Sequence, residues 1–128
     1  MGKPTLIAIA VVEHNGQFLV GIRPPEADLA GYSEFPGGKV EPGELPAQAA
    51  IRECREETGL EVEVAGEFPE QVHRYDHDHV RLMFYHCRLN QKDENPHTPF
   101  QWVDRADLES LRFPAGNNAV LTLLQCAS

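Results

Sequence analysis

Cysteine is scarce in this chain of 128 residues. The three are Cys54, Cys87 and Cys126, and no two of them have C-x-x-C spacing. An odd number without paired spacing argues against a disulfide framework and against a cysteine zinc site. We therefore expect three reduced thiols in a cytoplasmic protein.

Long apolar runs and a cleavable signal sequence are also missing. No run approaches the ~18 residues that a membrane-spanning helix needs. The N-terminus lacks a cleavable secretory signal. The sequence therefore predicts neither a membrane partner nor export.

Basic residues are outnumbered, because 11 Lys and Arg stand against 20 Asp and Glu and give a net charge of −9. A protein that tracks a nucleic-acid polymer needs basic stripes on its surface, so DNA and RNA are disfavoured as partners. A small polyphosphate can still bind if metal ions neutralise it locally. The length predicts one domain over residues 1–128, with the choice between a monomer and a homodimer left open.

The most informative stretch is residues 38–60, GKVEPGELPAQAAIRECREETGL. It predicts a helix from Pro46 to Thr58, because proline suits a first helical turn and Gly59 is a typical C-terminal stop. At ~100° per residue, three carboxylates share one face of this helix, those of Glu53, Glu56 and Glu57. A neighbouring face is predicted to be buried and consists of Ala47, Ala50, Ile51, Cys54 and Thr58.

Three like charges on adjacent turns repel one another and cost a helix stability. They need open solvent or a cation, and a solvated acidic face is the simpler interpretation of a bare E-x-x-E-E. The surrounding residues favour the cation. Phe35 to Gly38 and Gly43 predict a bent loop that carries Glu44 towards the helix, and Arg52 can brace the carboxylates from four residues before Glu56. Carboxylate oxygens suit Mg²⁺ or Mn²⁺.

This stretch resembles the Nudix box, G-x5-E-x7-R-E-U-x-E-E-x-G-U, in which U is a bulky apolar residue. Cys54, small but apolar, is the soft departure at the first U. The resemblance implies a Nudix hydrolase, which cleaves a nucleoside diphosphate linked to another group X. A domain retained only for nucleotide binding is the alternative. The fixed positions are filled by Gly38, Glu44, Arg52, Glu53, Glu56, Glu57, Gly59 and Leu60.

The resemblance also implies roles for individual residues. Mg²⁺ or Mn²⁺ is expected on the helix carboxylates, and one glutamate is expected to orient or deprotonate the attacking water. The expected metal ligands are Gly37, Glu53, Glu56 and Glu57; the expected catalytic residues are Glu53, Glu44 and Arg52; the expected phosphate-binding residues are Gly38 and Lys39.

Two residues outside the box are candidates for other contacts with the nucleotide. Arg23 is either a surface charge or a guanidinium that grips a phosphate or stacks on a base; MutT-like family members have an arginine at this distance before the F-P-G-G loop. Asn117 is either a helix cap or, by resemblance to the F-P-x-x-N segment of the same members, a contact to the base. 8-Oxoguanine carries a hydrogen on N7, where guanine has an acceptor. One amide could therefore accept from N7–H while donating to O6.

Gln101 departs from the MutT-like pattern, in which a glutamate just before the tryptophan is a metal ligand or helps to position the water. An amide oxygen can coordinate a cation, but it brings no negative charge and cannot act as a base. Either the three helix glutamates suffice, or a nearby acid substitutes, from among Asp93, Glu94 and Asp104.

A turn rich in histidine and aspartate superficially suggests a second metal site. Alternate residues of a hairpin point to opposite sides, and exposed turns are normally polar. A solvated turn is therefore the preferred interpretation of His73, Asp76, His77, Asp78 and His79.

The resemblance implies an α/β fold of the Nudix type, a mixed, curved sheet sandwiched between the box helix and a closing helix (α/β/α). The expected substrate is an oxidised purine nucleoside triphosphate such as 8-oxo-dGTP, cleaved to a monophosphate and pyrophosphate. A pyrimidine triphosphate, ADP-ribose or a dinucleoside polyphosphate are the alternatives. Strands are expected at Thr5–Glu13, Gln17–Ile22, within Glu61–Tyr75, at Val80–Leu89 and at Phe100–Val103. Trp102 is expected in the core. A capped helical turn is expected at Asp104–Leu108 and a closing helix at Ala119–Cys126.

Overall fold

The computed structural model describes residues 4–75 and 78–126. These ranges contain eight β-strands, two α-helices and two short 3₁₀ helices. In chain order they are β1 (Thr5–His14), β2 (Gln17–Ile22), β3 (Ser33–Glu34), β4 (Gly37–Lys39), α1 (Pro46–Thr58), β5 (Val62–Glu67), β6 (Gln71–Tyr75), β7 (Asp78–Leu89), β8 (Gln101–Asp104), the 3₁₀ helices Arg105–Ser110 and Ala115–Asn117, and α2 (Asn118–Cys126).

Strand β1 is the axis of a mixed sheet. It runs parallel to β7 from the pair Thr5–Val80 to the pair Glu13–Arg88, while the other strand pairs are antiparallel. The continuous apolar run in β1 follows from this central position, because a strand covered on both faces needs no polar side.

The two faces of the sheet carry separate cores, and each core is closed by one helix. Ala8, Ala10 and Val12 of β1 pack in the core that includes α1, while Ile9 and Val11 pack in the core that includes α2. Alternate residues of a strand point to opposite faces, so β1 serves both cores. The predicted α/β/α sandwich is therefore confirmed.

A fork between β1 and β2 positions the glycine loop, which we define as residues 35–38. The strands β1 and β2 pair only near their connecting turn, at Glu13–Phe18 and His14–Gln17. Further along, β4 takes the edge of β1 and β3 pairs with β2. The loop lies within this fork. At Gly37 an added Cβ would lie 2.6 Å from the carbonyl oxygen of Ala8, so no larger residue fits there.

Helix α1 has the predicted bounds, for the predicted reasons. Pro46 opens it, and Gly59 ends it in the left-handed region (φ 78°) while donating its N–H to the carbonyl of Arg55. The predicted buried face is correct in part. Ala49 is completely buried, whereas Ala47 and Ile51 are only partly covered, so the helix is rotated slightly towards Ala49 relative to the prediction.

Several strand and turn predictions need correction. The range 61–75 forms two strands, and β7 begins two residues before the predicted Val80. Trp102 is half-buried rather than a core residue, because its Nε1–H donates to the carbonyl of Glu94 at 2.6 Å on the exposed side. Asp104 does not cap the following 3₁₀ helix, since its carboxylate accepts a hydrogen bond from Gln17 instead.

Two further expectations concern the ends of elements and the thiols. The closing helix begins at Asn118, one residue earlier than predicted.

Cys54, Cys87 and Cys126 are free thiols. Asp76 and His77 of the histidine-rich turn lie outside the described residues, so the solvated turn stays a prediction. None of the described helices is both long and apolar enough to cross a bilayer.

Candidate active site

Arg52 is the hub of the acidic cluster on α1. It donates to both carboxylate oxygens of Glu44, from Nε at 2.7 Å and from Nη2 at 3.0 Å. Its Nη1 reaches Glu53 at 2.8 Å and Glu56 at 2.9 Å, and Nη2 also donates to the carbonyl of Lys39 at 3.1 Å. The arginine therefore braces the carboxylates as expected and ties the helix to the residues that follow the glycine loop.

The guanidinium of Arg52 affects the pKa and the solvent exposure of the contacting glutamates to different extents. Its hydrogen bonds hold the pKa of Glu44 below the ordinary value, since they favour the charged carboxylate. The side chains of Arg52, Glu44 and Glu53 are only 17–18% exposed, while Glu56 is 54% exposed. Glu56 is thus the member of the cluster most open to solvent.

Glu57 occupies the inner end of the same helix face. Its carboxylate accepts the N–H of Gly37 at 3.2 Å. Burial raises the pKa of Glu57 to about 8, and the nearby negative charges of Glu53 and Glu34 add to the shift. Two carboxylates that share a poorly solvated space cannot both stay ionised without a compensating charge. The Glu53–Glu57 pair therefore needs a proton or a cation.

Gly38 brings the main chain against this pair. A Cβ added at Gly38 would lie 2.4 Å from Oε2 of Glu53. A larger residue at this position would require the loop or the Glu53 carboxylate to move.

The residues fit a divalent cation in donor type and in charge. The site offers oxygen donors only, which Mg²⁺ and Mn²⁺ prefer. Burial and the negative charges of Glu53 and Glu34 disfavour the ionised form of Glu57, and a bound cation would offset this. Among the described residues no three acidic, histidine or cysteine side chains form a ready-made metal cluster. We attribute this to Arg52, which draws Glu53 and Glu56 towards itself.

A pH-dependent stability follows from Glu57 when a chelator is present. The pKa of folded Glu57, about 8, lies above the ordinary 4.5. Between these values the folded state keeps a proton that the unfolded state has lost, so the free energy of unfolding falls as pH rises from about 5 to about 8. Chemical unfolding across this range should show the fall, and Glu57→Gln should flatten it. Identical pH profiles for the two proteins would contradict the assignment.

Glu34 is a site residue that the sequence analysis missed. It faces Gly21 across the β2–β3 pair, and its carboxylate lies 3.4 Å from Nη1 of Arg23. Burial raises the pKa of Glu34, and the charge of Arg23 partly offsets this. Arg23 also donates to the carbonyl of Asp28 at 2.7 Å. The charge of Glu34 in turn raises the pKa of Glu57. Nothing local in the sequence pairs Arg23 with Glu34.

Asn117 and Lys39 are placed less centrally. Asn117 ends the short 3₁₀ helix 115–117, and its side-chain nitrogen donates to the carbonyl of Pro114 at 3.1 Å. Since a carbonyl only accepts, the amide nitrogen must face Pro114, and the amide oxygen points the other way. The exposed Lys39 lies at the end of β4, and its carbonyl is held by Arg52.

The acids proposed as substitutes at Gln101 lie elsewhere. Glu94 pairs with His14 at 2.7 Å, and Asp104 accepts from Gln17. His14 follows Ile9, the partner of Gly37, by five residues of β1, which is roughly 16 Å along an extended strand. Asp93 binds its own loop through Asn95. Each of these acids is therefore engaged with a partner outside α1.

Comparison with known proteins agrees with the fold and the cluster. A family model described as a NUDIX domain matches residues 7–123. The chain therefore belongs to the Nudix family and is a Nudix hydrolase. Hydrolases of this family are generally dependent on divalent metal ions.

Individual relatives show how far the similarity extends in sequence and in structure. The chain is 29% identical over 126 residues to the 8-oxo-dGTP diphosphatase of Escherichia coli K12, a match that covers 96% of this chain and 98% of that protein. Over 62 residues it is 48% identical to the CTP pyrophosphohydrolase of the same strain, covering 48% of this chain and 45% of the relative. A solution structure of a DNA mismatch repair protein MutT from methicillin-resistant Staphylococcus aureus superposes with a TM-score of 0.80 at 29% identity and covers both chains fully.

Proposed function

We propose that this chain hydrolyses an oxidised purine nucleoside triphosphate such as 8-oxo-dGTP to the nucleoside monophosphate and pyrophosphate, with Mg²⁺ or Mn²⁺ as cofactor. The carrying observation is the Glu53–Glu57 pair beside the glycine loop, because it needs a cation and lies where backbone can approach phosphates. The similarity to 8-oxo-dGTP diphosphatases along nearly the whole chain supports the choice of substrate.

The metal ligands that we propose are Glu53, Glu56 and Glu57, with Gly37 at the loop. A cation held by these residues would lower the pKa of the attacking water and would screen charge that develops on the bridging oxygen. We assign the backbone of Gly38 and the ammonium of Lys39 to contacts with the phosphates.

We assign the orientation and deprotonation of the water to Glu53 rather than Glu44. Both oxygens of Glu44 accept hydrogen bonds from Arg52, and its pKa is lowered, so it is a weak base. Only one oxygen of Glu53 is held by Arg52 in this way, and the other faces Gly38. Arg52 supports the reaction by keeping these carboxylates in place.

We assign the binding of the nucleobase to the segment that leads into the N-terminus of α2. Asn117 has its amide nitrogen fixed on the carbonyl of Pro114, which leaves one N–H and the oxygen to meet a base edge. A donor and an acceptor side by side match O6 and N7–H of 8-oxoguanine. Guanine would set acceptor against acceptor, which costs about 1–3 kcal/mol for the unmatched pair. We assign Arg23 to a contact with a phosphate or to stacking on the nucleobase.

A pyrimidine triphosphate is the second candidate. The 48% identity to a CTP pyrophosphohydrolase over 62 residues is the observation that favours it. That match covers less than half of this chain, so it bears on the shared phosphate chemistry more than on the choice of base.

A turnover screen tests the substrate. With Mg²⁺ present, 8-oxo-dGTP should be cleaved with a kcat/KM about tenfold or more above that of dGTP, as expected for a buried donor–acceptor mismatch. CTP, ADP-ribose and a dinucleoside polyphosphate complete the panel. Equal values for 8-oxo-dGTP and dGTP would contradict the substrate, and a clear preference for CTP would establish the second candidate.

A further inference from the structure

Two segments that are about 80 residues apart in sequence are fastened together beside the proposed site. One contains Tyr32 and leads directly into the glycine loop. The other contains Arg112 and leads into the asparagine segment, which we define as residues 113–117. The N–H of the buried Ser33 donates to the carbonyl of Arg112 at 2.7 Å.

Aromatic contacts extend this fastening on both sides of the hydrogen bond. The rings of Phe35 and Phe113 are stacked, with centroids 4.9 Å apart and planes at 30°. The guanidinium of Arg112 lies over the ring of Tyr32, 4.5 Å from its centroid. Phe35 and Phe113 are buried, whereas Arg112 is exposed and Tyr32 is half-buried. The core therefore depends on the phenylalanine pair, and the outer Arg112–Tyr32 pair can change without unfolding it.

The connection from Arg112 to the base-contacting amide is short. Pro114, two residues after Arg112, supplies the carbonyl that fixes the nitrogen of Asn117. Pro114 also accepts the main-chain N–H of Asn117 at 3.0 Å. A shift of the chain at residues 112–114 must therefore move the Asn117 amide relative to the glycine loop.

We propose that Arg112 is a positioning residue: by stacking on Tyr32 it fixes the asparagine segment against the glycine loop and so sets the enzyme's selectivity for the base. The substrate must place its phosphates at the glycine loop and its base at Asn117 together, so the distance between these two contacts decides whether the base edge is aligned. The effect on selectivity rests on the proposed function. The placement of Asn117 by Arg112 does not depend on which substrate is used.

Selectivity is the kinetic readout. Arg112→Ala should lower the ratio of kcat/KM for 8-oxo-dGTP over dGTP by about two- to fivefold, the scale of an exposed cation–aromatic contact. Arg112→Lys should recover part of the loss, because the charge remains while the planar stacking is lost. Tyr32→Phe should behave as wild type, since the ring face is kept, and Tyr32→Leu should match Arg112→Ala.

Arg88→Ala is the matched control, because it also removes an exposed arginine, one that pairs with Glu63 on β5. It should leave the ratio unchanged. An equal fall in turnover for every substrate in Arg112→Ala would overturn the proposal, since it would show a general structural role. If the wild type prefers 8-oxo-dGTP over dGTP and Arg112→Ala keeps the same ratio of kcat/KM, the proposal is overturned as well.

A second readout separates this proposal from the proposed substrate. In ¹H–¹⁵N spectra of the protein without nucleotide, Arg112→Ala and Tyr32→Leu should shift the side-chain amide signals of Asn117, while Arg88→Ala should not. If these signals stay in place, the positioning role is wrong whatever the substrate is. If they move but the wild type does not prefer 8-oxo-dGTP, the substrate assignment fails and the positioning of Asn117 stands.

Discussion

Replacing Glu53 by glutamine should reduce Mg²⁺-dependent turnover by about 10²- to 10⁴-fold, the range expected when a general base is removed. The amide keeps the size of the side chain and can still accept from Arg52, as the carboxylate does at 2.8 Å. It cannot deprotonate water, and it removes one negative charge from the pair with Glu57. Steady-state kinetics at saturating Mg²⁺ measure the loss.

The fold of Glu53→Gln should survive, which keeps the kinetic result interpretable. Burial is the main cause of the raised pKa of Glu57, and the charge of Glu53 adds to it. Without metal the substitution removes this added repulsion, so the melting temperature in chelator should be no lower than that of the wild type. Glu63→Gln is the matched control, because Glu63 is a half-buried carboxylate on β5 that pairs with Arg88 away from α1. Unchanged Mg²⁺-dependent turnover in Glu53→Gln would contradict the proposed mechanism.

Gly38→Ala is expected to have the second largest effect. The new Cβ would lie 2.4 Å from Oε2 of Glu53 and 2.5 Å from its carboxyl carbon, so either the loop or the carboxylate must move. Arg52 holds the other oxygen of Glu53, which limits how far the side chain can turn. Because a displacement of about 1 Å at a reacting group can cost about 10²-fold, kcat/KM should fall by about that factor.

Gly66→Ala supplies the control for the glycine substitution. Gly66 lies at the irregularity in β5, and an added Cβ would meet its nearest neighbour, Cβ of His86, at an ordinary 4.0 Å. Its turnover and stability should stay close to those of the wild type. A Gly38→Ala enzyme with wild-type kcat/KM would show that the approach of the loop to Glu53 is unimportant for catalysis.

The features that the sequence predicted well are those fixed by neighbouring residues. Pro46 and Gly59 define the ends of α1 by backbone chemistry alone, and the spacing of Glu53, Glu56 and Glu57 places them on one face without any tertiary information. The brace by Arg52 follows from the same helical geometry. For this reason the acidic cluster could be found before the fold was known.

The features that the sequence could not give depend on long-range register. Glu34 reaches Arg23 because β3 pairs with β2 at Gly21, and no local pattern specifies that pairing. The stacking of Arg112 on Tyr32 joins residues whose positions are set by separate elements. The half-buried state of Trp102 depends on the path of the preceding loop, which brings the carbonyl of Glu94 to its Nε1–H.

A crystal structure with Mg²⁺ and a non-hydrolysable nucleoside triphosphate is the most direct measurement of the central claim. The predicted result is at least one ion about 2.0–2.1 Å from carboxylate oxygens of Glu53, Glu56 or Glu57, with substrate phosphates against Gly37 and Gly38. An ion bound elsewhere, or a bound nucleotide with those carboxylates still held only by Arg52 and one another, would contradict it.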